Sequence, residues 1–238
     1  MQWARGRVLA LRVTLMHAIA QPEQHPASDM ANIAPFAAND VHGFLHRAAG
    51  DGPGLVLTHG AGSNCEAPLL VVAATALADA GVTVLRSDLP FRRRRPTGPP
   101  DRGGAAEDRA GLRRAVEALR AIVKGPVYLG GHSYGGRQAS MLAAEEPKLA
   151  AALLLLSYPL HPPKKPEQLR TEHLPRLATR AVFVHGTRDA FGTLSELETA
   201  MALIPGETRL IAIEGGGHDL RRGRYDWAPI VKALLASP

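Results

Sequence analysis

At 238 residues the chain is long enough for one large α/β domain, and its 45% apolar content excludes a disordered polymer. Its single cysteine, Cys65, excludes an internal disulfide, and no His/Cys cluster has zinc-ligand spacing, so neither a metal nor a cofactor is expected. The formal charge of +6 is mostly arginine but dispersed, with no helix-turn-helix, zinc-finger or RNA-binding signature, so no nucleic-acid partner is expected.

No apolar run reaches the roughly 18 residues of a membrane helix. The first 22 residues carry Arg5, Arg7 and Arg12 and faintly resemble a signal or transit peptide, but Arg12 and His17 interrupt the apolar stretch. They read instead as a disordered extension, or as a start placed too early with Met30 as the natural one. A cytoplasmic protein with no membrane partner is expected, and one free cysteine is compatible with that.

Residues 1–40 read as a loose leader, rich in Pro, Ala, Asn and Asp towards its end, and residues 41–238 as the domain. Val41 to Arg47 alternates like an edge strand. Leu55–Thr58 is an apolar strand ending on His59-Gly60-Ala61-Gly62. A helix over Pro68–Ala80 stops at Gly81. Val82–Leu85 is the next strand and runs to Asp88. A loop over Phe91–Gly104 holds Arg92 to Arg95, read as a solvated surface or, in a functional role, as an anion-attracting rim or protein contact. Ala105–Lys124 has helical spacing. Val127–Gly130 is a strand, followed by a helix from Tyr134. Ala151–Leu156 is wholly apolar. A short helix around Gln168–His173 is expected, then a strand over Ala181–Val184. A helix over Leu194–Leu203, a strand over Leu210–Ile213 and a helix over Tyr225–Leu235 complete the chain. Continuous apolar strands alternating with helices predict an α/β fold. Its mostly parallel sheet has about six or seven strands and helices on both faces.

Gly131-His132-Ser133-Tyr134-Gly135 fits G-x-S-x-G between a strand and a helix. The pattern suits a sharp turn whose backbones pass too close for side chains at the glycines, with the serine hydroxyl exposed at the sheet's end. Ligands of an open parallel sheet bind at the carboxyl ends of its strands, which limits the search for partners. Asp189 follows the strand at Ala181, and His218 follows the strand at Leu210. Ser133 as nucleophile, His218 as base and Asp189 as its orienting acid form a coherent set. Asp88, at another strand end, is the rival acid. His59 and His132 read as backbone supports inside tight turns, and Asp219 as pointing away from His218. The N–H groups of Ala61 and Tyr134 are the candidate oxyanion hole.

The chain resembles the α/β-hydrolase superfamily from about residue 41 onward. More narrowly it resembles the small lid-less hydrolase-like family of a testis-expressed protein and a subunit of the non-specific-lethal complex, whose bacterial members are often labelled dienelactone-hydrolase-like. That resemblance rests on Leu57–Ala61, the arginine loop after Leu89-Pro90, Gly131–Ser133 with Arg137, Ser157-Tyr158-Pro159-Leu160-His161 with Leu169-Arg170, Gly186–Asp189 and His218. It implies a Ser/Asp/His apparatus without fixing a substrate. Dienelactone hydrolases proper use a cysteine where Ser133 stands, so that activity is not carried over. The short stretch between Ser157 and Ala181 leaves no room for a large cap. Tyr158, His161 and Phe191 are expected as walls of an open pocket. Arg137, one helical turn past the serine, reads as a structural ion pair, with substrate binding as the alternative. The function expected is a serine hydrolase of small esters or thioesters; a hydrolase-like interaction module is the rival from another class.

Overall fold

The computed structural model describes residues 9–12, 32–101, 103–221 and 226–236. Its centre is a nine-stranded sheet. In chain order the strands are β1 (Leu9–Arg12), β2 (Ile33–Ala38), β3 (Val41–His46), β4 (Gly54–Thr58), β5 (Thr83–Ser87), β6 (Val127–His132), β7 (Leu153–Leu156), β8 (Ala181–Gly186) and β9 (Thr208–Ile213). The spatial order is β1-β9-β8-β7-β6-β4-β5-β3-β2. The β2–β3 and β3–β5 pairs are antiparallel and all the others parallel.

The helices are α1 (Pro68–Asp79), α2 (Pro90–Arg94), α3 (Ala105–Arg120), α4 (Tyr134–Glu145), α5 (Leu194–Met201) and α6 (Ala228–Leu235). They cover both faces of the sheet. Leu112, Val116 and Leu119 of α3, Leu142 of α4 and Leu197 of α5 pack with Leu129, Leu153 and Phe183 on one face. Leu70 and Leu77 of α1 and Ile230 and Leu234 of α6 pack with Leu55, Leu57, Leu154 and Ile211 on the other. An all-leucine β7 therefore still alternates: Leu153 and Leu155 enter one layer, Leu154 and Leu156 the other.

The strand order reverses between β4 and β6, since β4 leads outward to β5 whereas β6 leads the other way to β7. Such a switch point opens a crevice at the carboxyl ends of the two strands. Gly60 and Ala61 follow β4 there, and Ser133 follows β6.

Several expectations need correction. The loose leader does not extend to residue 40, because Ile33–Ala38 forms β2, joined to β3 by a two-residue turn with Asn39 and Asp40 both at positive φ. Pro35 is tolerated in β2 because the strand lies at the sheet's edge, and its partly exposed side chains give no periodic signal. Leu9–Arg12 pairs in parallel with β9, so the terminal extension is structured over those four residues. The rest of residues 1–22, and Met30, lie outside the described residues. The arginine segment expected as a loop begins with α2. The helix expected at Gln168–His173 is absent, and a 3-10 turn at Leu174–Arg176 stands after it. That turn is the one helical piece between Ser157 and β8, so no cap covers the crevice. Tyr225 lies outside the described residues, and α6 begins at Ala228. Among the described residues no helix is long and apolar enough to cross a membrane.

Candidate active site

The turn after β6 carries Ser133 at φ 50°, ψ −116°, a conformation that non-glycine residues seldom adopt. It is held by Ser133 N–H donating to Leu156 O at 2.8 Å and by the first turn of α4. The glycines beside it are dictated by close approach. A Cβ on Gly135 would lie 2.5 Å from His59 O, and one on Gly131 would lie 2.8 Å from Gly135 C.

His218 comes to this turn from the loop after β9. Its Nε2 lies 2.8 Å from Ser133 Oγ, and its Nδ1 lies 2.8 and 3.0 Å from the two oxygens of Asp189. The Asp189 side chain is fully buried, whereas that of His218 is 21% exposed. Phe191 N–H donates to Asp189 Oδ1 at 2.8 Å, and the Phe191 ring stacks on His218 at 3.9 Å. The His218 carbonyl accepts from His132 Nε2 at 2.8 Å.

The other titratable groups named from sequence fall into supporting places. His59 Nε2 accepts from Leu89 N–H at 3.1 Å, so its proton sits on Nδ1 and goes to Gly60 O at 2.8 Å. Burial pushes the pKa of His59, His132 and His185 down, which keeps these imidazoles neutral as backbone props. Asp88, the rival acid, is placed beside His59 rather than His218: its carboxylate accepts from Cys65 N–H at 2.8 Å and faces His59 at 3.5 Å. Asp219 is exposed and accepts from Arg221 N–H, away from His218. Burial, with Asp88 beside it, raises the Cys65 thiol to about 12, so it is no thiolate nucleophile.

The direction of two backbone N–H groups follows from their carbonyls. In the trans peptide Gly60–Ala61 the C=O points at Ser63 N–H and the His59 ring, so Ala61 N–H points the opposite way. In the peptide Ser133–Tyr134 the C=O accepts Arg137 N–H along α4, so Tyr134 N–H leaves the helix's N-terminal end unpaired with any helix carbonyl. Both residues line one cleft of about 530 Å³ with Ser133 and His218. Behind them, the buried Asp108 accepts from Tyr134 Oη at 2.7 Å and from Phe91 N–H at 3.0 Å. Asp108 was not singled out from sequence, because a lone acid in the first turn of a helix has an ordinary role there.

Of the three expected pocket walls, only Phe191 lines the cleft. Tyr158 is turned into the core, edge-on to Phe183, with its hydroxyl donating to Arg170 O at 2.8 Å. Its phenol finds a partner only by pointing inward. His161 is buried and donates from Nδ1 to Pro162 O at 2.8 Å, so it braces its own loop. Arg137 makes no ion pair among the described residues and lines the cleft, contrary to its structural reading, and Arg170 joins it there. The arginine run is also corrected. Arg92 is buried and donates to four carbonyls, those of Ser63, Ala61, Arg95 and Gly98. Arg94 pairs with Glu107, and Arg95 with Asp101 at 2.8 Å. Arg93, exposed, is left with neither role, so the run is not a free cationic rim.

A family model described as an alpha/beta hydrolase domain matches residues 51–227. Among solved structures, the fold is similar to a dienelactone hydrolase from Anabaena variabilis at TM-score 0.65 and 21% identity, covering 86% of this chain and 95% of that one. It is also similar to an α/β serine hydrolase without a lid from Xanthomonas campestris at TM-score 0.62 and 16% identity, covering 91% and 100%. A third similarity is to an alpha-beta serine hydrolase homologue from Coxiella burnetii at TM-score 0.66 and 13% identity, covering 86% and 97%. At these identities the structural likenesses speak for the fold, while the family model spans most of the sequence and both elements that build the crevice. The chain therefore belongs to the alpha/beta hydrolase domain family and has the dienelactone-hydrolase-like, lid-less form of its fold.

Proposed function

We propose that the protein hydrolyses a small carboxylic ester or thioester through an acyl-enzyme on Ser133. The observation that carries this reading is the continuous hydrogen-bonded chain from Ser133 Oγ through His218 to the buried Asp189. In the reaction, Oγ attacks the carbonyl carbon while its proton passes to His218 Nε2. Asp189 keeps the other ring proton on Nδ1 and stabilises the imidazolium. The tetrahedral oxyanion faces the N–H groups of Ala61 and Tyr134, which are fixed before the charge appears. As the intermediate collapses, His218 gives its proton to the departing alkoxide or thiolate. Water, deprotonated by the same imidazole, then attacks the acyl group and returns Ser133 Oγ–H.

A fluorophosphonate probe and a p-nitrophenyl ester series test the proposal. Wild-type protein is expected to be labelled and to turn over the esters. Ser133→Ala should lose labelling and on the order of 10⁶ in kcat while keeping its thermal midpoint. Equal turnover by pure Ser133→Ala protein, or no labelling of the wild type, would overturn it in favour of a hydrolase-like interaction module.

A further inference from the structure

Arg137 and Arg170 enter the same cleft as Ser133 from different elements, one on α4 and one on the loop that follows Tyr158. Among the described residues neither forms an ion pair with a carboxylate. That sets them apart from Arg94, Arg95, Arg109 and Arg113, each of which does. The Arg137 Nε is buried and, among the described residues, has no hydrogen-bond partner. A cationic N–H left without an acceptor is costly; Arg114 Nε is in the same state, but only Arg137 of the two lines the cleft, where a ligand can supply the acceptor.

Arg170, by contrast, is held firmly. Its N–H donates to Leu160 O at 2.9 Å, its carbonyl accepts from Tyr158 Oη at 2.8 Å, and its Nη1 donates to Pro159 O at 3.2 Å. Those bonds leave most of the guanidinium donors unspent. The two cations feel each other, since the Arg137 charge adds to burial in lowering the Arg170 pKa. Glu172, the nearest acid to register on Arg170, is exposed and makes no ion pair with it. Two cations thus share one cleft and, among the described residues, neither is paired with a carboxylate, which suits the cleft to an anionic ligand.

We infer that the substrate carries a carboxylate, bound by the guanidinium groups of Arg137 and Arg170 beside the scissile carbonyl. The inference rests on the serine-hydrolase reading for the position of the bond that breaks. Planar guanidinium forks match a carboxylate's two oxygens, which favours this anion over a point-charge contact. The distance from the reacting centre follows from α4. Arg137 N–H donates to Ser133 O at 3.0 Å, so Arg137 stands one helical turn past Ser133, and both line the cleft. The carboxylate therefore lies only a few bonds from the ester, as in a half-ester of a short dicarboxylic acid. Phe191 and Pro159 supply the apolar wall for the carbon chain between them. The buried Tyr158 acts here as a positioning residue, through the Arg170 backbone.

The test has one arm with turnover and one without. Turnover compares the p-nitrophenyl half-ester of glutarate with neutral p-nitrophenyl valerate, which has the same chain length. Wild type should favour the half-ester in kcat/KM by about tenfold or more, and Arg137→Gln should lower that ratio by about 10–100-fold, mostly through KM. Arg137→Lys should keep part of the preference. Among the described residues its guanidinium has no hydrogen-bond partner, so its removal breaks no bond seen there, and an unchanged thermal midpoint checks that the variant is folded. The second arm measures calorimetric binding of monomethyl glutarate to Ser133→Ala protein. Binding is expected there, weakened at least tenfold by adding either Arg137→Gln or Arg170→Gln. Absence of binding, binding that survives both changes, tighter binding of inorganic phosphate, or a half-ester ratio unmoved by Arg137→Gln would overturn the carboxylate site. If instead wild type and Ser133→Ala hydrolyse both esters alike, the serine-hydrolase reading falls, while the binding arm still decides the arginine pair.

Discussion

Arg92 Nη2 donates to the carbonyl of Ala61 at 2.7 Å, so a buried cation on α2 holds a loop residue that lines the cleft together with Ser133. The same guanidinium ties Ser63 O at 2.8 Å and Gly98 O at 3.0 Å, which makes it the joint between β4's loop and the arginine segment. Arg92→Gln should then lower kcat for any ester by about 10–100-fold, as expected when a preorganised donor loosens. It should also cost about 1–3 kcal/mol of stability. Arg92→Lys should rescue little, because an ammonium cannot reach several carbonyls in a plane. Steady-state kinetics and thermal unfolding check both halves. An Arg92→Gln enzyme with wild-type kcat and midpoint would show that the loop holds itself.

Asp189→Asn and Asp88→Asn separate the two strand-end acids. Losing the carboxylate beside His218 Nδ1 permits the wrong ring tautomer, and a drop in kcat on the order of 10³–10⁴ is expected for Asp189→Asn. Asp88 faces Cys65 N–H and His59 instead, so Asp88→Asn should cost far less activity. Ester turnover by the two purified variants gives the ranking directly, and the reverse order would move the acid to Asp88.

Gly135→Ala should misfold or strongly destabilise the protein. The new methyl would meet His59 O at 2.5 Å and Thr58 Cγ2 at 2.6 Å, and the first of these is backbone that cannot swing aside. Overpacking of this kind costs about 1–3 kcal/mol or more. Because the shift would also displace the Tyr134 N–H, activity should fall further than stability alone explains. A midpoint within a degree of wild type would show that strand and helix can part at no cost.

Acid should weaken the fold through two buried histidines outside the candidate site. His46 Nε2 accepts from Arg86 Nε at 2.7 Å, and His173 lies 2.8 Å from Ser140 Oγ. Burial first, then a nearby arginine (Arg86 and Arg137 respectively), lowers each from 6.5 to about 4. Their folded values are depressed, so the unfolded chain binds more protons as pH falls. The stability they contribute is complete above about 6.5 and is lost towards 4. The slope reaches at most about 1.4 kcal/mol per pH unit for each histidine. Urea unfolding between pH 7 and 4.5 should show this slope, and His46→Gln, which keeps an acceptor for Arg86, should make it shallower. A slope unchanged in that variant would remove His46 from the account.

Much of the catalytic edge was legible without coordinates, for a local reason. Apolar runs of strand length mark where each strand ends, and in a parallel sheet those ends share one edge. Ser133, Asp189 and His218 could thus be placed at one edge from chain order alone, and Gly131 and Gly135 from the spacing that a tight strand-to-helix turn demands. Strand β2 escaped because a two-sided, exposed edge strand is held by the ladder of β3, and its own sequence carries no buried face to betray it.

What only the tertiary structure decided is the direction in which individual side chains turn. Tyr158, His161 and Arg92 look like surface or pocket residues on a linear reading. Each turns inward because a carbonyl there accepts its proton: Arg170 O, Pro162 O and Ala61 O. Arg137 does the reverse, facing the cleft with a buried N–H and no protein acceptor. Hydrogen-bond satisfaction is settled by whichever group the fold brings within about 3 Å. That is why the order of Ser133, Asp189 and His218 could be read along the chain, while the lining of the cleft around them could not.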